Sequence, residues 1–246
     1  MLFTTSWDDG YALDLRVAAL LTRYGLKGTF YVCPAPQYGL PLLDDAGLRA
    51  LAEAHEVGAH TLTHPRLTRI APEEAAREIA GSRTEIERRT DKACAMFCYP
   101  KGDWSPDVAA LVRKAGFVGA RTTEPWRFAG ADRFALPTSL QLSHFPFRRA
   151  YRSWRHVVDP LGPLRVSRKP LRDLGVPHSA MGSWLSMATT LFDRALAKDE
   201  PFFHLWGHSS EIERYGMWDD LDAFLAHVAA SGAEPVTNAE LAGTAA

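Results

Sequence analysis

Short apolar runs alternate with amphipathic segments rich in Ala, Leu, Arg and Glu along most of the chain, the pattern of a parallel α/β fold. Residues 2–7 predict a first strand. Residues 13–24 predict a helix with apolar positions at Leu13, Val17, Leu20, Leu21 and Tyr24, stopped by Gly25. A second strand is expected over 28–33 (GTFYVC), rich in β-formers, and a second helix over 44–55 with an acidic first turn. A short strand at 57–60 precedes a long helix at 72–90, whose low apolar content places it on the surface. A strand at 96–99, a helix at 105–115 opened by Ser-Pro and closed by Gly116, and a strand at 117–121 follow.

The rhythm breaks at about residue 124. From there to 182 the chain is irregular and rich in Pro, aromatics and Arg, with one strand expected around 134–140. This stretch reads as an insertion within one domain spanning 1–246. Regular patterning resumes with a helix at 184–197, a strongly apolar strand at 202–206, a helix at 218–230 and a short strand at 234–237, followed by a tail. No internal repeat interrupts the series.

With 246 residues the chain can bury a large core, and 46% hydrophobic with 23% charged residues is ordinary for a globular protein. A net charge of -1 gives no global attraction to nucleic acid, and no run is long and apolar enough to span a membrane. Three cysteines, Cys33, Cys94 and Cys98, do not form a disulfide framework and read as buried thiols. Together with an N-terminus lacking the pattern of a signal peptide, they lead to the expectation of a cytoplasmic protein.

Reactive groups in parallel α/β folds sit at the carboxyl ends of strands, and four such places carry chemistry. Ser6-Trp7-Asp8-Asp9-Gly10 ends strand one with two carboxylates, whose desolvation calls for a cation or donors. A turn with Asx hydrogen bonds is the plainer account of the same triplet. His60-Thr61-Leu62-Thr63-His64-Pro65 follows strand three. Pro65 disfavours a helical His64, so a tight loop is expected, from which both imidazoles can converge on one point. Two histidines and one carboxylate make a ligand set for zinc or another first-row metal, with an open position for water. The second carboxylate of the Asp8–Asp9 pair is then free to act as general base. Cys98-Tyr99-Pro100-Lys101-Gly102 reads as a turn that presents a backbone N–H near Tyr99 to an oxyanion. In the last long strand, His204 reads as a core histidine. Trp206 shares its face, and His208, past the strand end, reads as a catalytic acid.

In this order the motifs resemble those of the NodB-homology polysaccharide deacetylases, carbohydrate esterase family 4. Asp8-Asp9-Gly10 is similar to the family's first motif, and His60-Thr61-Leu62-Thr63-His64 to its H-S/T-x-x-H motif. Gly28-Thr29-Phe30-Tyr31-Val32 and Lys114-Ala115-Gly116-Phe117 are similar to the connecting segments. The resemblance covers 2–121. It implies a distorted (β/α)7-type barrel, with Asp8 as base and Asp9, His60 and His64 as ligands of one divalent metal. Zinc is the first choice for that metal, with cobalt, nickel and iron open. The implied reaction is removal of an acetyl group from an acetamido sugar or glycoconjugate.

Two departures stand out. Cys98 occupies the place of the third motif's arginine, which leaves Arg121, at the end of strand five, as the candidate to orient Asp8. No fourth motif is evident, and Trp126 and Trp154 are no more than loose candidates for its apolar wall. The cluster Arg148, Arg149, Arg152, Arg155, Arg165, Arg168, Lys169 and Arg172, interleaved with Phe145, Phe147, Tyr151 and Trp154, is either a solvated strip or a rim for an anionic substrate group. Tyr99, Arg121 and Trp206 complete the expected substrate or oxyanion contacts. Hydrolysis of a formamide, a cyclic amide or an O-acetyl ester remains open, as does a silent member that binds carbohydrate or a partner.

Overall fold

The computed structural model describes residues 1–35, 39–148 and 159–244. Its centre is a curled, all-parallel sheet in the order β5-β4-β3-β2-β1-β7-β6, with β8 paired to β1. The strands are β1 (Leu2–Asp9), β2 (Thr29–Val32), β3 (Glu56–Ala59), β4 (Met96–Cys98), β5 (Gly119–Arg121), β6 (Leu140–Gln141), β7 (Phe202–Gly207) and β8 (Glu234–Pro235). Because β2 meets β1 only from Ser6 onward, the lower end of β1 is free to pair with β8 at Leu2 and Phe3.

Around the sheet lie α1 (Asp14–Arg23), α2 (Asp45–Ala54), α3 (Pro72–Thr90), α4 (Pro106–Lys114), α5 (Gly162–Asp173), α6 (Trp184–Ala197), α7 (Ser209–Tyr215), α8 (Trp218–Ala229) and α9 (Asn238–Thr244). Ser105 caps α4 through Val108 N–H and Asp44 caps α2 through Gly47 N–H, as expected of short polar side chains at these positions. The long helix α3 is less superficial than its composition suggests. It buries Ala75, Glu78, Ile79, Ser82 and Ile86 along one stripe.

Strand β1 explains how a polar set is delivered to one end. Phe3 packs outward against Phe192 and Phe224 of the helix layer and against Phe203 of β7. On its other face Thr4 Oγ1 accepts from Asn238 Nδ2, Ser6 Oγ lies 2.8 Å from His204 Nε2, and Asp8 meets Arg121. The period of two thus builds a polar column inside the curled sheet that ends on Asp8.

The stretch expected to be irregular contains the helix α5, hidden in the sequence by its charge and by Pro163 and Pro170. The strand expected at 134–140 is broken. Leu136 bridges Arg121 at one sheet edge, and Leu140–Gln141 pair with β7 at the other. One segment therefore touches both edges. Two further helices, α7 and α9, stand where no helix was expected. Each has seven residues, too few to show a period. Arg149, Tyr151, Arg152, Trp154 and Arg155 lie outside the described residues. No helix among the described residues is long and apolar enough to cross a membrane.

Candidate active site

Parallel pairing brings the carboxyl ends of β1, β3, β4, β5 and β7 to one side, where a pocket of about 780 Å³ opens. Asp8, Asp9, His60, His64, Trp206 and His208 all line it. Asp8 and Asp9 would point apart in a regular strand, yet both reach the pocket because Asp9 turns to φ 81°. Asp9, His64 (φ 60°) and Lys101 (φ 58°) are all non-glycine residues at positive φ on the pocket wall. Such conformations persist only where the surroundings over-determine them.

Asp9 Oδ1 is buried and has no hydrogen-bond partner, while its Oδ2 accepts from Tyr11 at 2.9 Å. The free oxygen lies 3.6 Å from His64 Nε2 and 3.8 Å from His60 Nε2, and the two nitrogens are 3.1 Å apart. Donor atoms at about 2.1 Å from a tetrahedral ion are separated by about 3.4 Å, so this triangle fits a divalent cation such as zinc. His60 Nδ1 lies 2.8 Å from the Cys98 carbonyl. It must carry the ring proton there, which leaves Nε2 bare toward the pocket. Burial holds both imidazoles below the usual histidine range, His64 at about 4, so both are neutral and able to ligate.

Behind this set Arg121 donates to Asp8 Oδ1. Burial alone pushes the Asp8 carboxyl up, but Arg121, aided by His208, outweighs it and keeps the group below the ordinary aspartate value. Arg121 is fully buried and its Nε and Nη1 find no acceptor. The guanidinium instead lies over Trp206 at 4.8 Å and Tyr31 at 5.3 Å. It is therefore placed to orient Asp8, and it does not line the pocket as a substrate contact. Cys98, fully buried, leaves its Sγ 3.8 Å from Asp8 Oδ2.

Across the pocket His208 Nε2 lies 4.0 Å from Asp9 Oδ2, and its Nδ1 is 3.5 Å from Glu211 Oε2. Burial lowers this imidazole's pKa, but Glu211, Asp8 and Asp9 together carry it up to about 9. His204 behaves as the core histidine expected, held between Ser6 Oγ and the Pro137 carbonyl.

Tyr99 departs from expectation. Its N–H donates to the Arg121 carbonyl at 3.3 Å and its hydroxyl to the Phe134 carbonyl at 2.8 Å, so the backbone donor proposed for an oxyanion is occupied by the sheet. Lys101, two residues on, lines the pocket instead. Of the described arginine-rich cluster, Arg165 pairs with Asp159 and Lys169 with Asp173 on the exterior, and the basic side chains at the pocket are Lys101 and Arg214. Trp126 borders a shallower groove that adjoins the pocket at Pro125. Tyr11 and Glu211 are functional candidates without a motif of their own. Tyr11 directly follows Asp-Asp-Gly, and Glu211 is three residues past His208 at the start of a helix.

Residues 2–120 match the polysaccharide deacetylase family. This stretch of the chain, just under half of its length, belongs to that family. A chitooligosaccharide deacetylase of Bradyrhizobium is 33% identical over 121 residues, which cover 48% of this chain and 54% of that protein. The chain spans about half the length of the curated relatives it matches. A family 4 acetyl xylan esterase from Clostridium thermocellum, solved with cobalt, superposes with a TM-score of 0.59 over 98% of this chain and 90% of that one, at 16% identity. A CE4 family pseudoenzyme from Bacillus anthracis gives the same score over 98% of this chain and 65% of that one, at 14% identity. At these identities the two structures share the fold, and the family assignment rests on the sequence match.

Proposed function

We propose that this chain, as one catalytic domain, hydrolyses an acyl group, N-acetyl in the first instance, from a sugar or glycoconjugate. The observation that carries the reading is the unpartnered Asp9 oxygen facing two neutral imidazoles, with an ionised aspartate beside it and a protonated imidazole opposite. Asp9, His60 and His64 would hold one divalent ion, zinc first, with cobalt, nickel and iron as alternatives. When bound, such an ion supplies Lewis acidity toward an acyl oxygen and makes water nucleophilic near neutral pH.

The side chains supply the proton transfers. Asp8, kept ionised by Arg121, takes a proton as water attacks the acyl carbon. His208, protonated and supported by Glu211, gives one to the departing nitrogen as the C–N bond breaks. The products are a carboxylate and an amine. Trp206 and Leu13 offer apolar surface for a sugar face, and Lys101 and Arg214 offer donors to hydroxyl or anionic groups.

A silent, carbohydrate-binding member is the second reading, favoured by Cys98 in the place of the third-motif arginine. The Arg121–Asp8 pair speaks against it, since the charge that aligns the base comes from the neighbouring strand. Acetate release from N-acetyl chitooligosaccharides and from O-acetylated xylan, by protein loaded with zinc or cobalt and by chelated protein, tests these readings. Metal-dependent release from the N-acetyl substrate is expected. A metal-binding chain that releases acetate from neither substrate would overturn the hydrolytic reading.

A further inference from the structure

The turn carrying His60 and His64 is held from outside the pocket. Within its five residues Thr61 (φ 63°) and His64 (φ 60°) both adopt left-handed backbone conformations that L-residues keep only under external constraint. Part of the constraint is internal: Thr61 Oγ1 donates to the His60 carbonyl and accepts from His64 N–H at 2.9 Å. The rest comes from α3. Glu78 Oε2 accepts from Leu62 N–H at 2.8 Å and Thr63 N–H at 2.9 Å, while Oε1 accepts from Thr63 Oγ1 at 2.7 Å. One carboxylate thus ties down the two residues that directly precede His64.

Two further observations give this contact weight. Glu78 is buried on the inward stripe of α3, with Ala75, Ile79 and Ser82, and no ion pair of the described residues involves it. Its compensation therefore comes from the turn itself. At Gly81, three residues on, an added Cβ would lie 2.7 Å from Leu62 Cδ1. The helix is pressed against the turn at this point and is a rigid support for it.

We propose that Glu78 is the positioning residue for the metal ligand His64. It locks the turn so that His64 Nε2 stays beside His60 Nε2 and Asp9 Oδ1 before any ion arrives. This rests on the metal site described above. Without the clamp, binding would have to order the turn, and affinity would fall, while the ligands themselves remain.

The full-length chain is stripped with a chelator and titrated with zinc against a chromophoric competitor. Metal-free unfolding temperatures are recorded in parallel. Wild type should take one equivalent, and His64→Ala should bind more weakly by well over 100-fold. Glu78→Ala should lose about 10- to 100-fold, the usual range for residues that support a ligand. Glu78→Asp keeps the charge but falls short of the turn, and should lose about tenfold. In Glu78→Gln the amide oxygen can take both N–H groups and the NH₂ can donate to Thr63 Oγ1, so affinity should return to within about threefold of wild type. A merely structural glutamate would lower the metal-free unfolding temperature and leave zinc affinity unchanged in all three variants. That result overturns the proposal, and Glu78→Asp decides the matter if the alanine variant does not fold. A wild-type chain that binds no zinc would instead sink the metal-site reading, and this inference with it.

Discussion

The two walls of the pocket are built differently. One, from β1, β3 and the turn after it, presents Asp8, Asp9, His60 and His64 on buried strand ends, each fixed by a second residue: Arg121, Tyr11, the Cys98 carbonyl and Thr61 respectively. The other presents Gln141, Trp206, His208, Ser210, Glu211, Glu213 and Arg214, from a two-residue strand, the end of β7 and a seven-residue helix. The first wall lies within the family match and the second outside it. The candidate metal ligands and the candidate base are concentrated where the backbone is most constrained. The surface a substrate's flanking groups would meet is carried by short elements that can vary with little cost to the core.

Substitutions in the first wall should have the largest effects. Asp9→Ala or His60→Ala should weaken zinc binding on the order of 1000-fold and abolish acetate release, because a ligand is removed outright. Asp8→Asn should lower kcat by about 100- to 10,000-fold with zinc affinity nearly unchanged, the signature of a lost base. Comparable losses of kcat and metal affinity in Asp8→Asn would assign it to the metal instead. Arg121→Met leaves a buried carboxylate unpaired and should destabilise the fold by about 3–5 kcal/mol in urea unfolding. If stability is unchanged, the pair does not couple the two strands.

Smaller effects are expected from the second wall. Glu211→Gln should reduce kcat about tenfold while leaving zinc affinity and stability close to wild type. A change in zinc affinity instead would erase the distinction between the walls. The smallest effect lies far from the pocket, at the base of the first wall. His55 is buried, with Nε2 near the Ala18 carbonyl and Nδ1 unpaired, and burial holds its imidazole below the usual value of 6.5. Its folded form resists protonation, so its contribution to stability is complete above pH 6.5 and is lost as pH falls below it. His55→Phe should flatten thermal stability between pH 7 and 5. An unchanged pH slope would show that His55 contributes nothing to it.

The alternation of apolar and amphipathic segments was readable through residue 121 because each element there is long enough to show a period and ends on Gly, Pro or a polar cap. Beyond it the signal fades for identifiable reasons. Pro170 and four basic residues disguise α5, and seven residues cannot display the periodicity of α7 or α9. The broken segment 133–141 draws its hydrogen bonds from two different strands. In the site, Asp8, Asp9, His60, His64 and His208 stood out as polar residues just past apolar strands. Tyr99 stood out for the same reason and is occupied elsewhere, since a strand-end position does not reveal which backbone donors the next strand has taken. Glu78 carried no signal at all, as one glutamate among several on a polar helix.

The order of residues alone determined which side chains arrive at the open end of the sheet, because parallel strands linked by helices leave few other places for a carboxylate or imidazole after an apolar run. Only the tertiary structure decided what each of them does there. Arg121 reaches Asp8 because β5 and β1 curl toward each other across the sheet. Both aspartates share the pocket because Asp9 leaves the β conformation, and the His60–His64 turn keeps its shape because α3 lays a carboxylate beneath it. Those are contacts between residues up to 113 positions apart. They depend on sheet curvature and helix placement, which no local pattern encodes.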